Sequence, residues 1–236
     1  MGARFGVFRC TQAKRPISAN MHILYTFRRC PYAMRGRMAL SLLKTQIEVR
    51  EILLRDKPAS MLKISPKGTV PVFLSKDGQV IDESLDLVVW AIAENCPQWL
   101  KFGGLDIQKA YVEKFDQEFK PLLDAYKYNR RDAEHPATYY RNRAKTWLDE
   151  LDHCLQKHNY LLGDVPQMQD IALMPFIRQF AFVDKKWFDQ QPRPNLIRWL
   201  DAWLNNDLFT SIMTKFPKWD EGSRGEIWHT SADHYS

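Results

Sequence analysis

The chain has 236 residues, of which 45% are hydrophobic and 26% charged, with eight Trp, nine Tyr and thirteen Phe. That composition belongs to a folded globular protein with room for a substantial core, so it excludes a disordered chain and a fold that depends on disulfides or metal. Thirty-four Lys and Arg against twenty-eight Asp and Glu give a net +6, which suits a small anionic ligand; the basic residues are scattered and never interleave with aromatics as in a nucleic-acid groove, so no nucleic-acid partner is expected.

Residues 1–20 carry Arg4, Arg9, Lys14 and Arg15 without a period and lack the apolar middle of a secretory signal, so they read as a flexible extension. Regular patterning starts at His22. Ile23 to Phe27 form a β-branched and aromatic run that two arginines and Cys30-Pro31 halt, which predicts a strand. Pro31 then opens a helix to about Lys44, with Met34, Met38 and Leu42 as its core stripe. Ile47 and Val49 alternate with Glu48 and Arg50 as a second strand, and Pro58 to Ser65 reads as a short irregular helix. Val70 to Leu74 is a third strand, and Asp77-Gly78 turns it into a fourth at Gln79 to Ile81. A helix over Leu85 to Glu94 completes the order β-α-β-α-β-β-α, one α/β domain spanning 21–95.

Beyond it, Cys96-Pro97 and Gly103-Gly104 bracket a connector, and no later strand pattern is convincing. Residues 105–236 therefore read as an all-helical domain. Its helices run from Asp106 to about Asn129, Pro136 to about Lys157, Asp170 to Phe182, Pro194 to about Asn205 and Leu208 to Thr214, with a polar tail from Trp219.

The chemical signal lies at Arg28-Arg29-Cys30-Pro31-Tyr32-Ala33, where the first strand meets the first helix. Unpaired N–H groups and the positive end of the helix dipole favour an anion there, and so a thiolate over a thiol. On position alone Cys30 is equally a catalytic thiol or a small buried hydrophobe. Ala33 stands where a dithiol motif would carry its resolving cysteine, so any chemistry is monothiol. The other cysteines, Cys10, Cys96 and Cys154, are far apart and make no CxxC pair; that points to a reducing compartment and inert thiols. No metal is expected, since the histidines form no HExxH or comparable pairing. No apolar run reaches eighteen residues, so no membrane span is expected and the cytoplasm is the predicted location.

Cys30-Pro31-Tyr32-Ala33, Lys67-Gly68-Thr69-Val70-Pro71-Val72 and Asp82-Glu83-Ser84 together resemble the thioredoxin-like half of the glutathione transferases, and within them the cysteine-containing omega-like and glutaredoxin-2-like members. The resemblance is strong over 21–95 and weaker beyond. It implies a thioredoxin-like domain followed by a helical bundle, glutathione as co-substrate, and Cys30 as nucleophile. It implies a cis Val70–Pro71 bond, with Val70 offering its main chain to the cysteinyl part of glutathione; read without it, Pro71 is an edge or loop residue. Glu83 and Ser84 match the pair that grips the γ-glutamyl end, although Ser84 alone reads as a helix cap, and Lys57 matches a lysine brought toward the glycyl carboxylate. Tyr32 joins this set as a neighbour of the thiol. The helical half would form the acceptor pocket, with Tyr111, Phe115, Tyr126, Tyr128 and Trp219 as candidate lining residues. Asp170 resembles the family's folding motif at the start of a buried helix, with Gln167 where Ser or Thr is usual.

The function so implied is glutathione-dependent thiol transfer or reduction toward a small-molecule or protein thiol or disulfide. The alternatives are conjugation of glutathione to electrophiles and a non-enzymatic binding or regulatory module; a homodimer fits the omega-like relatives and a monomer the glutaredoxin-2-like ones.

Overall fold

The computed structural model describes residues 21–95 and 104–230. The expected extension at 1–20 and most of the connector, including Cys96 and Gly103, lie outside these residues.

Strand β1 (His22–Thr26) is buried at every position because it is the centre of a five-stranded sheet. On one side it runs parallel to β2 (Gln46–Glu51), pairing Leu24 with Val49; on the other it is antiparallel to β3 (Val72–Leu74), pairing Leu24 with Phe73. Strand β4 (Val80–Ile81) returns along β3 through the Asp77-Gly78 turn, where Gly78 takes the positive φ of 89° that only glycine adopts without strain. Helix α1 (Pro31–Leu40) follows β1, α2 (Ala59–Ile64) follows β2, and α3 (Ser84–Asn95) closes the expected order.

The fifth strand corrects the sequence reading. Glu226–His229, within the stretch assigned to an all-helical domain with a polar tail, is strand β5, antiparallel to β2 with Trp228 opposite Ile47. Only Trp228 of its four residues is buried, too little alternation to signal a strand. The sheet supplies what the local pattern lacks: without β5, the N–H and C=O groups of β2 would line an open edge. Gly225 admits the chain there, since a Cβ at that position would lie 2.5 Å from the Val49 carbonyl oxygen.

The remaining elements are helices: α4 (Leu105–Lys127), α5 (Ala137–Cys154), α6 (Met168–Ala181), α7 (Lys185–Asp189), α8 (Pro194–Leu204) and α9 (Asp207–Ile212). On α4, Val112, Phe115, Phe119, Leu123 and Tyr126 recur at helical spacing and are buried. Helix α6 is buried nearly all round, and Asp170 at its start anchors it: the carboxylate accepts from the N–H groups of Leu161 (3.0 Å) and Gln167 (2.9 Å) and from Trp199 Nε1 (2.8 Å). Burial pushes this carboxyl up to about 6, against the pull of those three donors.

One continuous core joins Leu24, Val49 and Phe73 of the sheet, through α1 and α3, to the aromatic interior of the helical half. A second, smaller cluster covers the opposite face of the sheet, where Ile23, Tyr25, Val70 and Val72 pack with Met61 of α2 and Trp219. Among the described residues no helix is long and apolar enough to cross a membrane.

Candidate active site

The turn between β1 and α1 brings Cys30 to the N-cap of the helix. Its N–H donates to the Phe27 carbonyl (3.0 Å), its own carbonyl accepts from Met34 N (2.8 Å), and Pro31 follows at the first helical position. Cys30 is in extended geometry, φ −74° and ψ 125°, and half-buried. Pro31 suits its place because the missing N–H is one that the helix could not pair.

A buried arginine and a half-buried glutamate hold this turn. Arg37 is fully buried, and its guanidinium donates to Thr26 Oγ1, to the Arg28 carbonyl (2.6 Å) and to the Ile212 carbonyl (3.1 Å). Burial lowers its pKa to about 10, with Glu51 opposing. Glu51 Oε1 in turn accepts from Arg28 N at 2.7 Å. Burial pushes the Glu51 carboxyl up, while that hydrogen bond and Arg37 pull it down.

Opposite Cys30 lies Val70, whose carbonyl oxygen is 3.9 Å from Sγ, and the Val70–Pro71 peptide is cis. The β1–β3 ladder ends at the Tyr25–Val72 pair, because Pro71 has no N–H to continue it. Gly36 lets α1 come close to this proline: a Cβ there would lie 3.2 Å from Pro71 Cγ and 3.0 Å from Leu87 Cδ2.

Glu83 and Ser84 begin α3, with the Glu83 carbonyl accepting from Leu87 N (3.0 Å). Glu83 is exposed and its carboxylate meets Lys67 Nζ at 2.5 Å. Ser84 is buried, and its hydroxyl accepts from Arg35 Nη1 at 3.3 Å. Lys57 is exposed and lies across Gly68, where a Cβ would come within 3.2 Å of its Nζ; the Gly68 φ of 63° likewise calls for glycine.

Arg35 carries no signal in the sequence, yet it organises this side. Its side chain is inaccessible to solvent and makes two bonds of 2.7 Å to Asp116 on α4, a third to the Ala172 carbonyl on α6 (2.9 Å) and the fourth to Ser84. It also stacks on Phe176, 4.4 Å from the ring centroid. Tyr32 turns away from Val70 toward the helical half, edge-on to Phe176 at 4.9 Å with Lys120 Nζ 5.4 Å from its centroid. Burial, and then Asp116, push its phenol up to about 12.

On that side an open cleft of about 420 Å³ exposes Cys30 between Phe27, Arg29, Tyr32 and Leu54 of the first half and Lys120, Asp124, Tyr128 and Gln179 of the second. Of the five aromatic candidates only Tyr128 reaches it. Phe115 and Tyr126 are core, Tyr111 packs on Trp147 and hydrogen-bonds Glu150, and Trp219 lies with Tyr25 in the cluster on the sheet's other face. The hydroxyls before the helix are engaged elsewhere: Tyr25 pairs with Ser60 and Arg50, and Thr26 with Arg37. Cys154 is half-buried at the end of α5, where burial and Glu150 push its thiol up.

Comparison with known proteins adds to this geometry. Residues 24–98 match the family model for the glutathione S-transferase N-terminal domain, and residues 130–202 the model for its C-terminal domain. The chain is 25% identical to mouse glutathione S-transferase omega-1 over 175 residues, 72% of each chain. It is 24% identical to Escherichia coli glutaredoxin 2 over 186 residues, 68% of this chain and 85% of that one. Among solved structures, a Burkholderia graminis glutathione transferase with two glutathione molecules bound per subunit superposes with a TM-score of 0.73 at 17% identity, over 84% of this chain and 90% of that one.

Proposed function

Since the chain belongs to the glutathione S-transferase family, we propose that it works as a glutathione-dependent thiol transferase with Cys30 as nucleophile. The observation that carries the reading is the seat of Cys30: a lone sulfur at a helix N-terminus, 3.9 Å from the Val70 carbonyl on one side and open to the cleft on the other, with Ala33 in place of a second thiol. The relatedness to omega-1 and glutaredoxin 2 agrees with it.

In this reading Val70 receives the cysteinyl part of glutathione through its main chain, as an added strand would be received. Ser84 and the start of α3 take the γ-glutamyl carboxylate, Glu83 the ammonium and Lys57 the glycyl carboxylate. Tyr32 walls the thiol on the acceptor side. The Cys30 thiolate attacks the glutathionyl sulfur of a mixed disulfide; a Cys30–glutathione disulfide forms, and the partner thiol leaves as a thiolate that takes a proton from solvent. A second glutathione thiolate then attacks the bound glutathionyl sulfur, releasing oxidised glutathione and restoring Cys30. Conjugation driven by a hydroxyl has no comparable support, with Tyr25 and Thr26 held in other bonds and the Tyr32 phenol raised to about 12.

The test is turnover of a mixed disulfide between glutathione and a small thiol, with mass spectrometry after exposure to oxidised glutathione. The wild-type chain gains one glutathionyl group on Cys30 and turns over, whereas Cys30→Ala does neither. Full activity in Cys30→Ala would refute the reading.

A further inference from the structure

Past α9 the chain leaves the helical half and crosses back over the sheet as a strap ending in β5. Trp219 anchors it: the ring is buried beside Met61 of α2, Arg50 stacks on it at 4.5 Å, and the residue's main-chain N–H donates to the Glu51 carbonyl at 2.8 Å. At the far end Thr230 exchanges main-chain and side-chain hydrogen bonds with Thr45.

On either side of the Trp219 anchor the strap grips both sides of Lys57. Lys218 Nζ meets Asp56 at 2.8 Å. Three residues on, the Glu221 carboxylate accepts from the first two N–H groups of α2, Ala59 N (3.0 Å) and Ser60 N (2.6 Å), and these bonds hold its carboxyl below the usual range. Such a cap is ordinarily supplied by the preceding residue, which here is Pro58 and has no side-chain acceptor. A helix of six residues does not stand alone, and Met61 is the one residue α2 buries. Its placement rests on Met61, on the Tyr25 hydroxyl that meets Ser60 Oγ at 3.2 Å, and on what reaches it from the strap.

We infer that Glu221 is a positioning residue for glutathione: by capping α2 from the C-terminal strap, it fixes Lys57 across Gly68. The inference rests on the reading above, in which Lys57 meets the glycyl carboxylate. Glu221 itself touches no reacting atom.

The test compares Glu221→Ala, Glu221→Gln, Lys57→Ala and the Glu221→Ala/Lys57→Ala double variant for glutathione affinity by calorimetry, maximal turnover, and the rate of Cys30 alkylation without glutathione. Glu221 is exposed, so these variants should fold, and circular dichroism checks it. Loss of a cap of this kind is expected to weaken glutathione binding roughly fivefold in Glu221→Ala, with turnover at saturation and Cys30 alkylation held within about twofold. Glu221→Gln, which keeps an acceptor oxygen, should fall between it and the parent. Lys57→Ala weakens binding by a similar factor, and the double variant is no worse than Lys57→Ala alone. Unaltered affinity in Glu221→Ala, or losses that multiply in the double variant, overturns the inference and leaves the thiol-transferase reading standing. Unaltered affinity in Lys57→Ala overturns the inference together with the role given to Lys57. A parent chain that binds no glutathione overturns both.

Discussion

Removing Asp116 tests the claim that one buried arginine braces the glutathione side of the site. In the folded chain Arg35 has no solvent access and directs two of its hydrogen bonds at Asp116, whose side chain is 23% exposed. Asp116→Ala leaves the guanidinium buried with only the Ala172 carbonyl and the Ser84 hydroxyl. Breaking a fully buried pair costs about 3–5 kcal/mol, and because Asp116 keeps some contact with water the lower end, about 3 kcal/mol, is expected. That is a large share of the ~5–15 kcal/mol that holds a domain together. Urea unfolding at neutral pH reads it as a lower midpoint at constant slope. Arg35→Met/Asp116→Leu removes the stranded charge along with its partner, so it should be more stable than Asp116→Ala. If the two single changes add without coupling in the double mutant, the ion pair is not the brace. Arg35→Met should also weaken glutathione binding where the fold persists, because the Ser84 hydroxyl loses its donor.

Three further outcomes follow from particular contacts. Gly225→Ala drives a Cβ against the Val49 carbonyl oxygen, a main-chain atom that cannot swing aside, and should cost about 1–3 kcal/mol with a lowered Tm; an unchanged Tm would refute the close seating of β5. The Asp170 carboxyl rises from an ordinary 3.8 to about 6 on folding, so the folded chain holds the extra proton in between and this contribution, full below 3.8, is lost as pH rises through 6. The stability advantage of wild type over Asp170→Asn in urea should therefore shrink between about pH 4.5 and about pH 6.5, and a constant difference would contradict the shift. Brief iodoacetamide treatment with peptide mapping should modify Cys30, open to the cleft, well before Cys154, whose raised thiol is held back by burial and Glu150; equal rates would count against this contrast.

The elements of the first half were legible because each is announced locally: the β-branched run before Cys30, Pro31 at a helix start, Asp77-Gly78 at a hairpin. The cis Val70–Pro71 bond comes from motif resemblance and agrees with the structure, whereas the helix over Leu85 to Glu94 with Ser84 as its cap is read locally and starts one residue earlier, at Ser84. What escaped was long-range. In β5 a single buried tryptophan and a glycine mark a strand whose partner lies about 180 residues away, and no local period encodes that pairing. The short helix α7 escaped similarly, having five residues and one buried side chain, with Asp184 capping Trp187 N.

Arg35 and Arg37 were invisible for a different reason. An arginine on a helix is read by default as a solvated side chain, a fair prior on a helix with one wet face. Helix α1 has no such face. The sheet, α3, α6 and α9 all pack on it, so nine of its ten residues are buried, both arginines among them. Burial on every side forces each guanidinium to find partners within the protein, and the nearest acceptors are those that frame the site. Arg37 takes the carbonyl and hydroxyl oxygens of the turn before Cys30; Arg35 takes Ser84 and the helices behind it. The helix that presents the thiol thus also fixes, through two charges that cannot reach water, the turn on one side of the sulfur and the start of α3 on the other.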